Sequence, residues 1–127
     1  MVGFLPLRDR EYLESHQYNF DEIDSGGQKG VVLRKVVLPA MKFDVAQADI
    51  LFLLPGGYPD TLPDMFYVFP WIRLLPKGNY PRAADQPVVF DGVTWQRWSR
   101  HSDQWRSGRD GIWTLIKRFE NAVEIAE

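Results

Sequence analysis

Three apolar runs separated by short, turn-rich links limit what this chain can fold into more than any other feature of its sequence. The runs cover residues 31–38, 48–54 and 65–69, and each is rich in β-branched or aromatic residues and is followed by a proline. Residues 17–23 alternate more weakly and predict a first, edge strand. Because the links are too short to hold crossover helices, we expect antiparallel pairing. The sequence therefore predicts an antiparallel meander of about four strands.

One strongly periodic segment predicts a C-terminal helix. Apolar residues recur at helical spacing over 112–126, and Asp110 is placed to cap the first turn. These apolar residues are Ile112, Leu115, Ile116, Phe119, Ala122, Val123 and Ala126. Residues 8–15 predict a short polar helix, and residues 71–93 predict a long ordered loop, since they contain three prolines and no sustained period. The whole pattern predicts an α+β fold in a single domain over 1–127.

The absence of cysteine removes several kinds of chemistry. With Cys 0, the chain has no disulfide, no thiolate metal ligand and no thiol nucleophile. His16 and His101 are its only histidines, so we predict no metal site and no cofactor. No apolar run reaches the roughly 18 residues of a membrane span, and no secretory signal is recognisable, so we expect a cytoplasmic protein without a membrane partner. The net charge of −2 argues against a nucleic-acid-binding protein.

Residues 56–70 contain the first candidate site. Tyr58, Pro59 and Pro63 frame a short turn, and an apolar strand follows at once. Proline fixes φ and lacks an amide donor, so this segment predicts a rigid turn at the edge of a sheet. A proline-rich turn with a purely structural role would explain the same residues.

Residues 95–111 contain the second candidate site, where Trp, Arg, Ser and His are concentrated. If the chain is extended there, Ser99 and His101 project to the same side with their Cα atoms about 7 Å apart. An imidazole with a pKa of about 6.5 could then act as a base for the hydroxyl. Alternatively, the tryptophans anchor the segment on the core and the arginines stack on them. A further alternative is a single-stranded nucleic-acid surface. The arginines concerned are Arg97, Arg100 and Arg106.

The two segments together resemble a known family. YPDTLPDMFYVFP, followed by WQRWSRHSDQW and the periodic helix, is similar to prokaryotic family E of the ubiquitin-conjugating-enzyme superfamily. The order of parts is also that of the superfamily: a β-meander, a Tyr-Pro-x-x-x-Pro turn, a long active-site loop, a Trp and a helix. The resemblance implies acyl transfer. Its implied partners are a ubiquitin-like protein, an activating enzyme and a deconjugating metallopeptidase.

The resemblance also implies roles for individual residues. Trp105 resembles the Trp that precedes the helix in the superfamily, and activating enzymes of this pathway generally grip the N-terminal helix. That helix is acidic here, so we expect a basic patch on the partner and association that weakens with salt. The residues implied in binding are Tyr58, Pro59, Pro63, Arg97, Arg100, Trp105, Glu11 and Glu14.

The chain departs from the superfamily at the reacting residue. The thiol that carries the acyl group would fall near Arg97, and no cysteine is present there or elsewhere. The superfamily's His-Pro-Asn tripeptide is also absent, and residues 79–81 (Asn-Tyr-Pro) are the nearest match. Two hypotheses remain, of which the first, a carrier of the ubiquitin-like protein in a bacterial conjugation pathway, is favoured. In one, Ser99 carries the acyl group as an oxyester, with His101 as the base and Ser102 as the competing acceptor. In the other, the domain is a non-catalytic adaptor that binds the ubiquitin-like protein or the activating enzyme.

Overall fold

A six-stranded antiparallel sheet and two helices form the fold in the computed structural model, which describes residues 3–63, 65–101 and 104–127. The helices are α1 (Leu7–Ser15) and α2 (Ile112–Ile125). The strands are β1 (Phe20–Ser25), β2 (Gln28–Val37), β3 (Gln47–Leu54), β4 (Phe66–Phe69), β5 (Gln86–Phe90) and β6 (Val93–Trp98). Their order across the sheet is β1-β2-β3-β4-β6-β5. The α+β class agrees with the prediction, but the sheet has six strands instead of about four.

The first four strands are neighbours in chain order, and each pair is antiparallel. Pairing of β1 with β2 ends where Phe20 lies opposite Leu33. Just beyond, a bulge interrupts the pairing of β2 with β3 between Leu33 and Val36. Lys35 lies in this bulge with a φ of 51°, and its backbone N–H donates to the Asp49 carboxylate at 2.9 Å. The end of β2 thus extends past the point where β1 begins, with the bulge against β3 in the same stretch.

A β-hairpin replaces the second half of the predicted loop over 71–93. β5 and β6 are joined by Asp91 and Gly92, whose φ angles are 50° and 76°. β6 then pairs with β4, so the hairpin is added to the edge of the meander. An Asp-Gly pair between runs of β-branched and aromatic residues is a hairpin signal that the prediction missed. Pro87 obscured it, because proline is tolerated only at a sheet edge, where β5 indeed lies.

The apolar face of α2 packs on one side of the sheet, as predicted. The buried residues of the helix are Ile112, Leu115, Ile116, Phe119, Ala122 and Val123. The Phe119 ring meets the Phe66 ring edge-on with centroids 5.3 Å apart, and Phe66 stacks on Trp98 at 5.3 Å. Ala126 is packed against this core just after the helix ends.

Asp110 does not cap α2, contrary to the prediction, because Gly111 occupies the N-cap position. The Asp110 carboxylate instead accepts a hydrogen bond from the backbone N–H of Arg106 at 2.6 Å and one from the Thr114 hydroxyl at 2.9 Å. The hydrogen bond from Arg106 is the main reason that the pKa of Asp110 is lowered. Asp110 therefore links the segment before the helix to its first turn.

The sheet is curled, so its second face also buries apolar side chains. Val32, Leu51, Phe90 and Trp95 form a separate cluster there. Gly30 permits this closure: a Cβ on that residue would lie 2.7 Å from Leu51 Cδ1 and 2.9 Å from the Phe90 ring. The tip of the β5–β6 hairpin thus approaches β2 across the sheet.

Neither helix in the described part of the chain has the length and apolar character needed to cross a membrane. Over the same residues, no group of three or more His, Asp or Glu side chains is arranged to hold a metal ion.

Candidate functional site

Tyr58 of the predicted turn contacts a buried carboxylate on α1. Its hydroxyl donates to Asp9 Oδ2 at 2.5 Å, and the backbone N–H of Ile112 donates to the same carboxyl group. Asp9 is only 2% exposed, and this burial raises its pKa. Burial, followed by the interaction with Asp9, raises the pKa of Tyr58. The turn, α1 and the start of α2 therefore meet at one side chain.

Trp105 fastens the segment before α2 to the same turn. Its indole Nε1 donates to the Pro59 carbonyl at 2.8 Å, and its ring centroid lies 6.2 Å from that of Tyr58. The Ser107 hydroxyl donates to the Asp60 carboxylate in the same region. Three of the predicted binding residues, Tyr58, Pro59 and Trp105, are thus brought together.

Pro63 and Arg100 are two further predicted binding residues that share a cavity. The cavity has a volume of about 20 Å³, and Met65 also lines it. A space of this size suits a single water molecule. The guanidinium carbon of Arg100 lies 4.9 Å from the centre of the Trp98 ring. Burial, followed by the nearby charge of Arg82, lowers the pKa of Arg100.

Ser99 follows directly after β6 and is half-buried. Its backbone N–H donates to the Ala83 carbonyl at 3.0 Å, and its Oγ lies 3.8 Å from Met65 Sδ. A thioether is a weak acceptor and not a base. The His101 side chain is exposed, so the pairing of Ser99 with His101 stays a prediction. Ser102, the competing acceptor, lies outside the described residues.

Arg97 lies on the other side of the sheet from Arg100. Alternation along β6 places Arg97 and Trp95 on the curled second face, with Arg97 directly opposite Tyr67. Arg97 Nε and Trp95 Nε1 are buried and have no acceptor among the described residues. Arg100, in contrast, lies over Trp98 in the core beneath α2. The two arginines therefore do not share the one-sided basic surface that a single strand of nucleic acid would need.

Gln96 is a buried polar residue that the sequence analysis did not single out. Its Oε1 accepts from the Ile72 N–H at 3.0 Å and from Trp98 Nε1 at 3.2 Å. Its Nε2 donates to the Ile72 and Ala84 carbonyls at 3.0 and 2.8 Å. The side chain thus holds the chain after β4 against β6. A glutamine between two tryptophans carries no local sign of this role, since the backbone partners lie 24 and 12 positions away.

Glu11 and Glu14, the predicted docking residues, are both exposed on α1. Other acids in the same stretch are used inside the molecule: Glu22 forms an ion pair with Arg10 at 3.0 Å and accepts the Leu5 N–H at 2.8 Å. The acidic surface is therefore smaller than the sequence alone suggests.

Trp113 adds an aromatic surface beside Glu11. The guanidinium carbon of Arg8 lies 5.2 Å from its ring centre, and the Tyr12 ring is 5.9 Å away. Together with Glu11 and Ser15 they line an open depression of about 450 Å³. The sequence analysis missed Trp113 because its place in the helical pattern lies outside the predicted apolar face.

The comparison with protein families identifies one match over nearly the whole chain. The model of prokaryotic E2 family E matches residues 5–126. The match therefore includes α1, the first strands and α2, as well as the two motif segments from which the resemblance was drawn. No curated protein and no solved structure is significantly similar to the chain.

Proposed function

The chain belongs to prokaryotic E2 family E, and on that premise we propose that it is a ubiquitin-conjugating-like adaptor. In this role it binds a ubiquitin-like protein and its activating enzyme without itself accepting the acyl group. The observation that carries the proposal is that none of the 127 residues is a cysteine. A thioester needs a thiol, so the family's usual chemistry has no acceptor in this chain.

The surroundings of Ser99 support a binding role over an acceptor role. A serine hydroxyl ionises far less readily than a thiol of pKa about 8.5, so it needs a base within hydrogen-bond reach. Among the described residues, the Ser99 hydroxyl is directed at the sulfur of Met65, which takes no proton.

We assign contact with the activating enzyme to α1. Glu11 and Glu14 are exposed there, and Glu11 lies beside the aromatic surface of Trp113. A basic patch on the partner would be steered to these charges, mainly through the association rate. The ubiquitin-like protein is assigned to the Trp105 segment, which the turn at Tyr58 holds in place. The deconjugating metallopeptidase is proposed as the third member of the same pathway.

The docking assignment is tested by association kinetics with the activating enzyme of the same organism. Reversing both Glu11 and Glu14 to Lys should slow association about tenfold at low salt, and raising the salt should reduce the difference. Asp85→Lys, at an exposed acid on the hairpin side of the sheet, is the matched control for the single Glu11→Lys and should leave the rate unchanged. Equal rates for all of these proteins would place the contact elsewhere.

A second candidate function, transfer through a Ser99 oxyester, is favoured by one specific observation. Ser99 lies at the end of β6 in the segment that leads to Trp105, where the resemblance locates the reacting residue. The neighbouring Arg100 guanidinium donates to the Ser99 carbonyl at 3.0 Å. A fixed cation of this kind could stabilise the oxyanion of a tetrahedral intermediate.

In this second function, the Ser99 Oγ would attack the carbonyl carbon of the thioester on the activating enzyme. A C–O bond forms, the C–S bond breaks, the serine proton goes to a base, and the enzyme's sulfur leaves as thiolate. His101 is the proposed base. The product is an ester on Ser99 that resists reducing thiols and is cleaved by hydroxylamine.

Reconstitution with activating enzyme, ubiquitin-like protein and ATP separates the two functions. The adaptor proposal predicts a complex with the charged enzyme but no covalent adduct on this chain. The oxyester proposal predicts a hydroxylamine-sensitive adduct that Ser99→Ala removes and Ser99→Cys makes sensitive to thiols. Ser102→Ala is run in parallel, since an adduct lost only in that variant moves the acceptor to Ser102. The adaptor proposal would be refuted if this chain formed no complex with an activating enzyme that is known to carry the ubiquitin-like protein as a thioester.

A further inference from the structure

The C-terminal half of α2 and the end of β2 enclose an apolar groove that the candidate site does not use. It has a volume of about 280 Å³. Leu33 and Val37 line it from the sheet, and Phe119 and Val123 line it from the helix. The groove lies at the opposite end of α2 from the Asp9–Tyr58 contact.

The groove exists because β2 extends beyond its neighbour. Pairing with β1 ends where Leu33 lies opposite Phe20, the first residue of β1, and Val36 and Val37 follow beyond that point after the bulge. Val37 is consequently 73% exposed, although it belongs to a strand of the sheet. An apolar wall is thus left open to solvent.

Apolar surface continues outside the groove. The Lys42 amine donates to the backbone carbonyl of Glu124, which brings the turn around Lys42 against the end of α2. The chain neighbours of these two residues are Met41, which is 90% exposed, and Ile125, which is 66% exposed. An apolar surface larger than the groove itself suits a protein partner better than a small ligand.

Two carboxylates lie along the helical side of the groove. Glu120 and Glu124 are four positions apart, so they lie on the same face of α2 about 6 Å apart along its axis. Both are exposed. The Tyr18 ring lines the groove as well, and its pKa is raised by burial and then by the charge of Glu120. The Lys42 amine, close to the end of the helix, is held by a backbone carbonyl.

We propose that this groove binds a basic segment of a partner protein in which a bulky apolar residue is flanked by Lys or Arg. The apolar side chain fills the groove between Val37 and Phe119, and the flanking cations lie on Glu120 and Glu124. With a volume of about 280 Å³, the groove is at the lower end of the roughly 300–1,000 Å³ of ligand pockets and has room for one large side chain. The proposal does not depend on the role in conjugation.

The proposal is tested with fluorescein-labelled peptides on the full chain. The first peptide places one Leu between Lys residues in a Gly/Ser background, the second replaces each Lys with Glu, and the third replaces the Leu with Ser. Fluorescence anisotropy should show binding of the first peptide only. Amide chemical shifts should move at Val36, Val37, Glu120 and Val123.

Reversing the charges of Glu120 and Glu124 tests whether these carboxylates bind the cations of the peptide. Glu120→Lys together with Glu124→Lys should weaken binding of the Lys-flanked peptide about tenfold, since two attractive charge contacts become repulsive. Both residues are exposed, so the fold is retained, which far-UV circular dichroism checks. Asp85→Lys is the matched control for a single Glu120→Lys and should change nothing.

Several results would overturn the proposal. They are equal binding of the Lys- and Glu-flanked peptides, no binding of any peptide at millimolar concentration, or shifts confined to other residues. Octyltrimethylammonium is included as a small apolar cation. If it binds more tightly than the Lys-flanked peptide, the groove is a small-molecule site and not a protein-docking site.

Discussion

The two ends of α2 are stabilised in different ways. At its N-terminal end, the buried Asp9 carboxylate accepts from Tyr58 and Ile112, and Trp105 is tied to Pro59. Specific hydrogen bonds hold α1, the turn and the helix in one arrangement. At its C-terminal end, the helix contacts the sheet through apolar side chains and leaves an open groove.

Because of this difference, the N-terminal end of α2 is the more rigid and the C-terminal end is the more accessible to a partner. Buried hydrogen bonds to a carboxylate are directional, and breaking one leaves a buried polar group unsatisfied. Apolar contacts are not directional, so a groove lined by them can exchange solvent for a partner's side chain at little cost. We therefore expect the N-terminal end to keep its geometry and the C-terminal end to accept ligands.

The largest expected effect comes from the side chain between the two ends. Phe119→Ala removes a ring that is 2% exposed and meets Phe66, so the free energy of unfolding should fall by roughly 3–5 kcal/mol. Urea denaturation gives this value. A loss below about 1 kcal/mol would mean that the ring is not part of the core and that both ends of the helix are held independently.

A smaller effect on the free energy of unfolding is expected at the N-terminal end of α2. Tyr58→Phe removes the hydroxyl that donates to Asp9 and leaves a buried carboxylate with one donor fewer. Unfolding free energy should fall by about 1–3 kcal/mol. Tyr80→Phe is the matched control, since its hydroxyl accepts an exposed hydrogen bond from Arg73. Equal losses in the two variants would contradict the special role of the buried pair.

The same end of the helix should show two opposite dependences of stability on pH. Burial raises the pKa of Asp9 above its ordinary value of 3.8, so the native state binds a proton more tightly than the unfolded state. Stability due to Asp9 should therefore fall as the pH rises through the window just above 3.8. The pKa of Asp110 is lowered, so its contribution is present above 3.8 and is lost as the pH falls below that value.

Two variants separate these contributions. As the pH is lowered, the stability of the wild type relative to Asp9→Asn should increase, and its stability relative to Asp110→Asn should decrease. Thermal unfolding of the three proteins between acid and neutral pH measures both slopes. Slopes of the same sign would show that the surroundings of one carboxyl group have been misjudged.

Local sequence patterns predicted the helix and the strands whose buried residues recur at regular spacing. The helical period over 112–126 located α2 and its buried side, and the apolar runs located β2, β3 and β4. The β5–β6 hairpin was missed even though Asp91 and Gly92 mark its turn, because Pro87 and polar neighbours made β5 look like a loop.

The candidate site was less predictable because its contacts join distant positions. Tyr58 was predicted as a binding residue, but its partner Asp9 lies 49 positions away in a polar helix that predicts a surface residue. Arg97 and Arg100 were grouped by proximity in sequence, yet strand alternation and the end of β6 place them on different sides of the sheet. Such pairings follow from the tertiary fold and have no local period.

The smallest expected effect is at the groove, and it tests whether that end of the molecule is open. Val37 is 73% exposed, so Val37→Thr should change the free energy of unfolding by less than about 0.5 kcal/mol. Val31→Thr, in the same strand but fully buried, is the matched control and should cost about 1–3 kcal/mol, because its hydroxyl enters the core without a partner. The two substitutions are chemically identical and both keep a β-branched side chain, so strand propensity cancels. If both cost the same, Val37 is covered in solution, and the two ends of α2 do not differ in accessibility.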